Sequence, residues 1–332
     1  MEEISLTLVF NKFTFADFII QGVIVIIEIR DLTKYYGSVL ALDNVTVKIP
    51  SGAVGLLGPN GSGKTTLIRI LLGLIDPTKG DGQVLGHDIK TEQRYVADKV
   101  GYMPEYPCLP DFVSAQKFVA FLGRLSGLPY TASMQRAHDV LYYVGLGEAR
   151  YRNMDTYSAG MKQRVKLAAA LVHDPELIIT DEPTNGMDPK GRDQMLMLLK
   201  NLSREEGKSV LVSSHLLPDV ERVCEKVTIL NRGALLHQGE IGKIHESETD
   251  IIIVRIKGDI KTFQSQLEKS NITSSLRGNT SLLVKLQDEN TYDRICEIAA
   301  KNDYQLRYMG KDARTLEDLF IGLFENQVDN RD

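Results

Sequence analysis

The run Gly58-Pro59-Asn60-Gly61-Ser62-Gly63-Lys64-Thr65-Thr66 constrains the fold of this chain more than any other stretch. It fits G-x-x-x-x-G-K-[ST] and follows the apolar, strand-like AVGLL at 53–57. A strand that hands over to a glycine-rich loop and then a helix turns successive backbone N–H groups toward one point, at the positive end of that helix. Such a loop suits a phosphate. Lys64 places a point charge between β- and γ-phosphates, and Thr65 offers a hydroxyl to a Mg2+ ion that the phosphates also ligate. A glycine-rich turn with an incidental lysine is the plainer alternative, and the strand-loop-helix setting weighs against it.

Leu177-Ile178-Ile179-Thr180-Asp181-Glu182 is an apolar strand that ends in two carboxylates. In a parallel sheet it carries both to the C-terminal edge, where the phosphate loop also lies. There Asp181 is placed to hold Mg2+, directly or through water, and Glu182 to act as general base on an attacking water. Taken alone, the pair reads equally well as acids ending a strand at the surface. The phosphate loop decides between the two.

Strand-like runs alternate with turn signals from residue 29 to about residue 90, and helix-like spacing dominates 115–144. Beyond Ser158, helix, strand (ELIIT), helix and strand (KSVLVSS) follow in turn, which implies βαβ units and a parallel sheet. After about residue 240 the order becomes β-α-β-β-α-β, with a hairpin at Gly278-Asn279, as in a small ferredoxin-like α+β domain. TLEDLFIGLFEN at 315–326 adds an amphipathic helix with Thr315 and Asp318 at capping-box spacing. The expected division is 1–27 as an apolar extension plus the start of the first strand, 28–240 as the main domain, and 241–332 as an accessory domain.

Composition narrows the partners. With 332 residues and a net charge of −5, the chain lacks the clustered cations that nucleic acid binding needs, so no nucleic acid is expected. No run of about 20 apolar residues is present, so a membrane process would need a second chain to cross the bilayer. Cys108, Cys224 and Cys296 are too scattered for a zinc site and odd in number for a disulfide framework, pointing to a reducing compartment. Met1-Glu2-Glu3 is acidic where a secretory signal needs basic residues. The apolar stretch 13–27 is interrupted by Asp17 and Gln21. Its part 23–29 reads as a buried strand, while 1–22 reads either as an amphipathic surface anchor or as a stretch upstream of the true start.

Tyr157-Ser158-Ala159-Gly160-Met161-Lys162-Gln163-Arg164 separates this chain from other phosphate-loop proteins. It resembles the signature of the ABC ATPases, in a form found in exporter subunits. Asn185-Gly186-Met187-Asp188-Pro189 resembles that family's D-loop, Ser213-Ser214-His215 its H-switch, and Tyr36 before Gly37 its adenine-stacking aromatic. The resemblance covers 28–240. It implies an α/β phosphate-loop NTPase with a mixed sheet core, an antiparallel β subdomain and a helical subdomain starting between Glu105 and about Leu128.

The resemblance also implies that ATP and Mg2+ are bound and that Lys64, Glu182 and His215 carry hydrolysis. Thr65, Asp181 and Glu105 would meet the metal. Ser158, Ala159 and Gly160, at a helix N-terminus that favours an anion, would complete the site of a second copy in an ATP-bound homodimer, with Asp188 orienting that partner's site. A peripheral place on the cytoplasmic side of the membrane, beside a separate transmembrane permease of the drug or antibiotic exporter type, follows. Two positions depart from the pattern: Ala159 stands for a glycine, and Glu105, in GYMPE, for the more frequent glutamine. The alternative is a soluble ABC ATPase of translation control or DNA maintenance. Its members carry two cassettes in one chain or long coiled coils between motifs, and neither is seen here.

Overall fold

The computed structural model describes residues 19–20, 23–106, 108–242, 251–277, 281–286, 288 and 290–311. It divides into two compact units at Gly239/Glu240. In the first, the strands are β1 (Ile19–Ile20), β2 (Val23–Tyr36), β3 (Val39–Pro50), β4 (Ala53–Leu57), β5 (Lys79–Val84), β6 (His87–Asp88), β7 (Val100–Met103), β8 (Leu177–Asp181), β9 (Ser209–Ser214), β10 (Lys226–Asn231) and β11 (Ala234–Glu240). Its helices are α1 (Lys64–Leu71), α2 (Gln93–Lys99), α3 (Ala115–Leu125), α4 (Tyr130–Tyr143), α5 (Ala159–Leu171), α6 (Pro189–Arg204) and α7 (Leu217–Val223).

β8 (LIITD) and β9 (SVLVSS) are buried along their whole length, so both faces of the sheet are covered, as continuous apolar strands demand. The sheet runs β11-β10-β4-β9-β8-β7, and the β10-β4, β4-β9, β9-β8 and β8-β7 pairings are parallel. The chain therefore ends β4, β8 and β9 at one edge. That shared edge positions the site.

β2 pairs antiparallel with β1, β3 and β5, and β5 with β6, forming a second sheet. Its inward residues Ile27, Ile29, Leu32, Leu42, Val45 and Ile49 share a core with Leu67, Ile68, Ile70 and Leu71 of α1 and with Val54 and Leu56 of β4. Apolar spacing along α1 thus seats the phosphate loop between two sheets. The strand expected at 23–29 runs on to Tyr36, with Asp31 in the left-handed region at φ 49°. The helical stretch expected at 115–144 is broken at Gly127 (φ 93°) and Pro129 into α3 and α4, which pack on each other and on α5.

The second unit contains β12 (Ile251–Lys257), α8 (Ile260–Lys269), β13 (Ser274–Arg277), β14 (Ser281–Lys285), α9 (Thr291–Lys301) and β15 (Gln305–Lys311). Its antiparallel sheet has the order β13-β14-β12-β15, the ferredoxin-like arrangement that the sequence suggests. Ile252, Val254, Phe263, Leu267, Leu282, Val284 and Ile295 give it a core of its own. The Gly278-Asn279 turn and the helix expected at 315–326 lie outside the described residues, as do 1–18 and 21–22. No described helix is long and apolar enough to cross a membrane.

Candidate nucleotide site

The loop from β4 to α1 needs its glycines. Gly61 (φ 80°) and Gly63 (φ 104°) are left-handed, and a Cβ on Gly63 would lie 2.8 Å from the Ala41 carbonyl oxygen. The loop bends so far that Lys64 Nζ reaches back to donate to the carbonyls of Gly58 (2.7 Å) and Pro59 (3.3 Å). Lys64 is 6% exposed and lies 3.6 Å from Glu182 Oε1. Burial pushes its pKa down, against the pull of Glu182 and Asp181.

Asp181, 1% exposed, accepts from Thr65 Oγ1 and from Ser213 Oγ, each at 2.8 Å. The end of β8 is thereby bound to the first turn of α1 and to β9. Glu182 is held differently. Its backbone is left-handed (φ 49°), a strain of about 1–3 kcal/mol for a residue with a side chain. Its N–H donates to Ser213 O at 3.0 Å, and Oε2 meets His215 Nδ1 at 2.9 Å. Oε1 is buried with no hydrogen-bond partner. Burial raises the Glu182 pKa, and Lys64 and His215 counter it only in part.

A cleft of about 500 Å3 opens over these groups, lined by Asn60, Gly61, Ser62, Gly63, Lys64, Thr65, Thr66, Arg69, Glu105, Tyr106 and Glu182, with Val39, Leu40 and Ala41 along one side. Of the residues singled out in the sequence, the loop, Glu105 and Glu182 face the cleft. Gly58 and Pro59 anchor Lys64, while Asp181 and His215 back the site through Thr65 and Glu182. The donor set fits Mg2+. No three His, Cys, Asp or Glu side chains among the described residues form a cage, yet the Thr65 hydroxyl, backed by the Asp181 carboxylate, and a Glu182 oxygen without a hydrogen bond stand at the cleft. That suits an ion that keeps waters and shares substrate phosphates.

Residues 42–185 match the family described as "ABC transporter". The ABC transporter ATP-binding protein YxlF of Bacillus subtilis is 33% identical over 298 residues, which span 89% of this chain and 98% of that protein. The chain belongs to the ABC transporter ATP-binding family. The daunorubicin/doxorubicin resistance ATP-binding protein DrrA of Streptomyces peucetius is 28% identical over 92% of this chain and 94% of its own. Among solved structures, the ATP-binding cassette MJ0796, a dimer in a post-hydrolysis state with ADP and Pi, superposes at a TM-score of 0.60 and 26% identity. It covers 64% of this chain and 98% of the cassette.

Other ABC motif residues stand apart from this cleft. Ser158 caps α5 by accepting from Met161 N at 3.3 Å, and neither it nor Ala159 nor Gly160 lines the cleft. Gly186 packs beside Ala159, and a Cβ on it would lie 3.7 Å from the Ala159 Cβ. Asp188 is exposed at the N-cap of α6 without a side-chain cap bond. Tyr36 is 44% exposed beside Lys34, whose Nζ is 5.3 Å from the ring, and it is not among the lining residues; Val39 and Leu40 are.

Several supporting residues escaped the sequence reading. Gln163 Nε2 donates to Asn185 O at 2.9 Å, tying α5 to the D-loop. Buried Asp219 accepts from Thr184 Oγ1 (2.5 Å) and Arg192 Nε (2.6 Å), linking the D-loop and α6 to the helix after His215. Lys166 Nζ donates to the carbonyls of Pro104 and Glu105. A lone lysine inside the apolar stretch of α5 was the available signal for the last.

Proposed function

We propose that this chain binds ATP with Mg2+ and hydrolyses it to power a separate transmembrane permease of the exporting kind. The observation that carries hydrolysis is Glu182: a strained, buried carboxylate at the cleft, with Oε2 on His215 and Oε1 free of hydrogen bonds, 3.6 Å from the Lys64 ammonium. An acceptor so placed suits a water directed at a γ-phosphate. Glu182 Oε1 takes the water's proton as the water oxygen bonds to the γ-phosphorus and the bond to the β,γ-bridging oxygen breaks. His215 Nδ1 keeps Glu182 aimed. The loop N–H groups and Lys64 bear the charge that gathers on the departing ADP. Mg2+, beside Thr65 and Asp181 with Glu105 in reach, would neutralise phosphate oxygens when bound. Tyr36 is assigned the adenine, for which its exposed ring is available.

Ser158, Ala159 and Gly160 start α5 with free N–H groups and a positive dipole end on a surface away from the chain's own cleft. A second copy related by a twofold axis would bring them, with Asp188, to the first copy's γ-phosphate. The dimeric MJ0796 cassette supports this reading. Phe112 (86% exposed), just before α3, and Phe121 (54%) and Leu125 (68%), one turn apart on it, are the apolar side chains offered to the permease. A peripheral position on the cytoplasmic side of the membrane follows, and the likeness to DrrA, a daunorubicin/doxorubicin resistance protein, favours export.

Hydrolysis by the purified chain tests the site. Lys64→Ala should lower kcat/KM for ATP about a hundredfold or more, since nothing else in the loop supplies a cation. Parental hydrolysis by that variant would remove the site.

A further inference from the structure

The apolar body of α5 carries one cation. Residues 165–171 are Val, Lys, Leu, Ala, Ala, Ala and Leu, and Lys166 among them is 4% exposed. A buried ammonium is unfavourable unless its donors are used, and a Met or Leu would fill the same volume without that cost. Here the donors are used on one target. Nζ donates to Pro104 O at 2.7 Å and to Glu105 O at 2.8 Å. Those carbonyls lie on either side of the Glu105 α-carbon, so together they fix the backbone that aims the Glu105 side chain into the cleft. Burial pushes the Lys166 pKa down, while the charges of Glu105 and Asp181 work to keep it protonated.

Lys166 is eight residues from Ser158 along a continuous helix, about 12 Å at the α-helical rise. A rigid helix thus joins the Glu105 backbone to the signature N-terminus. We propose that Lys166 is a positioning residue that locks the Pro104-Glu105 segment to α5, so that the presence of a γ-phosphate and Mg2+ at Glu105 sets the placement of Ser158, Ala159 and Gly160. This rests on the reading of Glu105 and the signature given above. It assigns the Glu105 side chain and the buried lysine at 166 to one device, joined through the main-chain carbonyls of Pro104 and Glu105.

The test is a double-mutant cycle on the full chain with Lys166→Met, Glu105→Ala and the pair. It is read as kcat and KM for ATP hydrolysis with Mg2+ and, in a Glu182→Gln background, as ATP-driven dimerisation. Lys166→Met keeps the stem and loses the donors. It should lower kcat about tenfold, because displaced catalytic groups cost rate steeply, while KM stays within about threefold. Lys166→Arg should recover most of the loss. The double variant should be no slower than Glu105→Ala alone, since both remove one linkage.

Losses that multiply, or a folded Lys166→Met with parental kcat and a lowered melting temperature, would overturn the proposal by making Lys166 a packing residue only. If Lys166→Met does not fold, Lys166→Gln, whose amide is shorter in reach than the ammonium and cannot span both carbonyls, enters the same cycle with the same expected outcomes. Lys64→Ala run in parallel separates the two claims. Its parental activity would remove the nucleotide site itself, whereas its inactivity beside multiplying losses would remove only the role of Lys166.

Discussion

At the scale of single residues, the site works by putting charges where water cannot reach them. Glu182 and Lys64 face each other at 3.6 Å, yet burial outweighs their attraction and moves both toward neutrality. The consequence for rate has a definite sign. In the proposed reaction Glu182 acts as carboxylate and Lys64 as ammonium. A raised Glu182 pKa delays the active form, so kcat/KM should climb through a limb above the ordinary glutamate value of 4.5. A lowered Lys64 pKa removes the cation early, so the falling limb should lie below 10.5. A pH profile of kcat/KM for the purified chain checks both; a rising limb at or below 4.5 contradicts the burial of Glu182.

Glu105 makes the second test at this scale. Gln keeps an oxygen at nearly the same reach, so Glu105→Gln should hydrolyse ATP within a few-fold of the parent. Glu105→Ala offers no oxygen, and it should fall well below the parent and lose stimulation by the permease. Equal, parental rates for both variants would mean that Glu105 does not act on the nucleotide.

At the scale of elements, α5 connects most of the machinery. Ser158 caps it, Gln163 holds the D-loop, and Lys166 holds the loop after β7. Close packing of β7 against α5 depends on Gly101, where a Cβ would run into the Ala170 carbonyl and lie 2.9 Å from Pro175 Cγ. Gly101→Val should therefore destabilise by about 1–3 kcal/mol or more, read as a lower urea midpoint at unchanged slope. An unchanged midpoint would mean that the strand and helix are not in this contact.

The elements also separate what was legible in the sequence from what was not. The phosphate loop, β8 with its acids and the α5 N-terminus were legible because their chemistry is local: glycines at positive φ, an apolar strand and a serine cap each act within a few residues. The β-α-β-β-α-β order of the second unit was legible from periodicity, and the sheet order agrees with it. Lys166, Asp219 and the bond from Ser213 to Asp181 were not, since the partners lie 62, 35 and 32 residues apart and only the folded sheet brings them together. The place of Val39 and Leu40 in the cleft was hidden for another reason. In a strand they read as ordinary apolar positions, and only their exposure distinguishes them.

At the scale of the whole molecule, every residue assigned to the nucleotide precedes the Gly239/Glu240 division, and each unit has its own buried core. A chain ending at Gly239 should fold and bind ATP with nearly unchanged affinity, measured by a fluorescent nucleotide alongside circular dichroism. A folded, soluble truncation that cannot bind ATP would show that the second unit belongs to the site.

The central claim is that ATP joins two copies of this chain and that Glu182 ends the joined state by hydrolysis. Light scattering of Glu182→Gln with and without saturating Mg2+-ATP tests it most directly. The variant should bind ATP without cleaving it, so mass should double on adding ATP and stay doubled. A monomer at saturating ATP, with nucleotide binding confirmed in the same sample, would contradict the account.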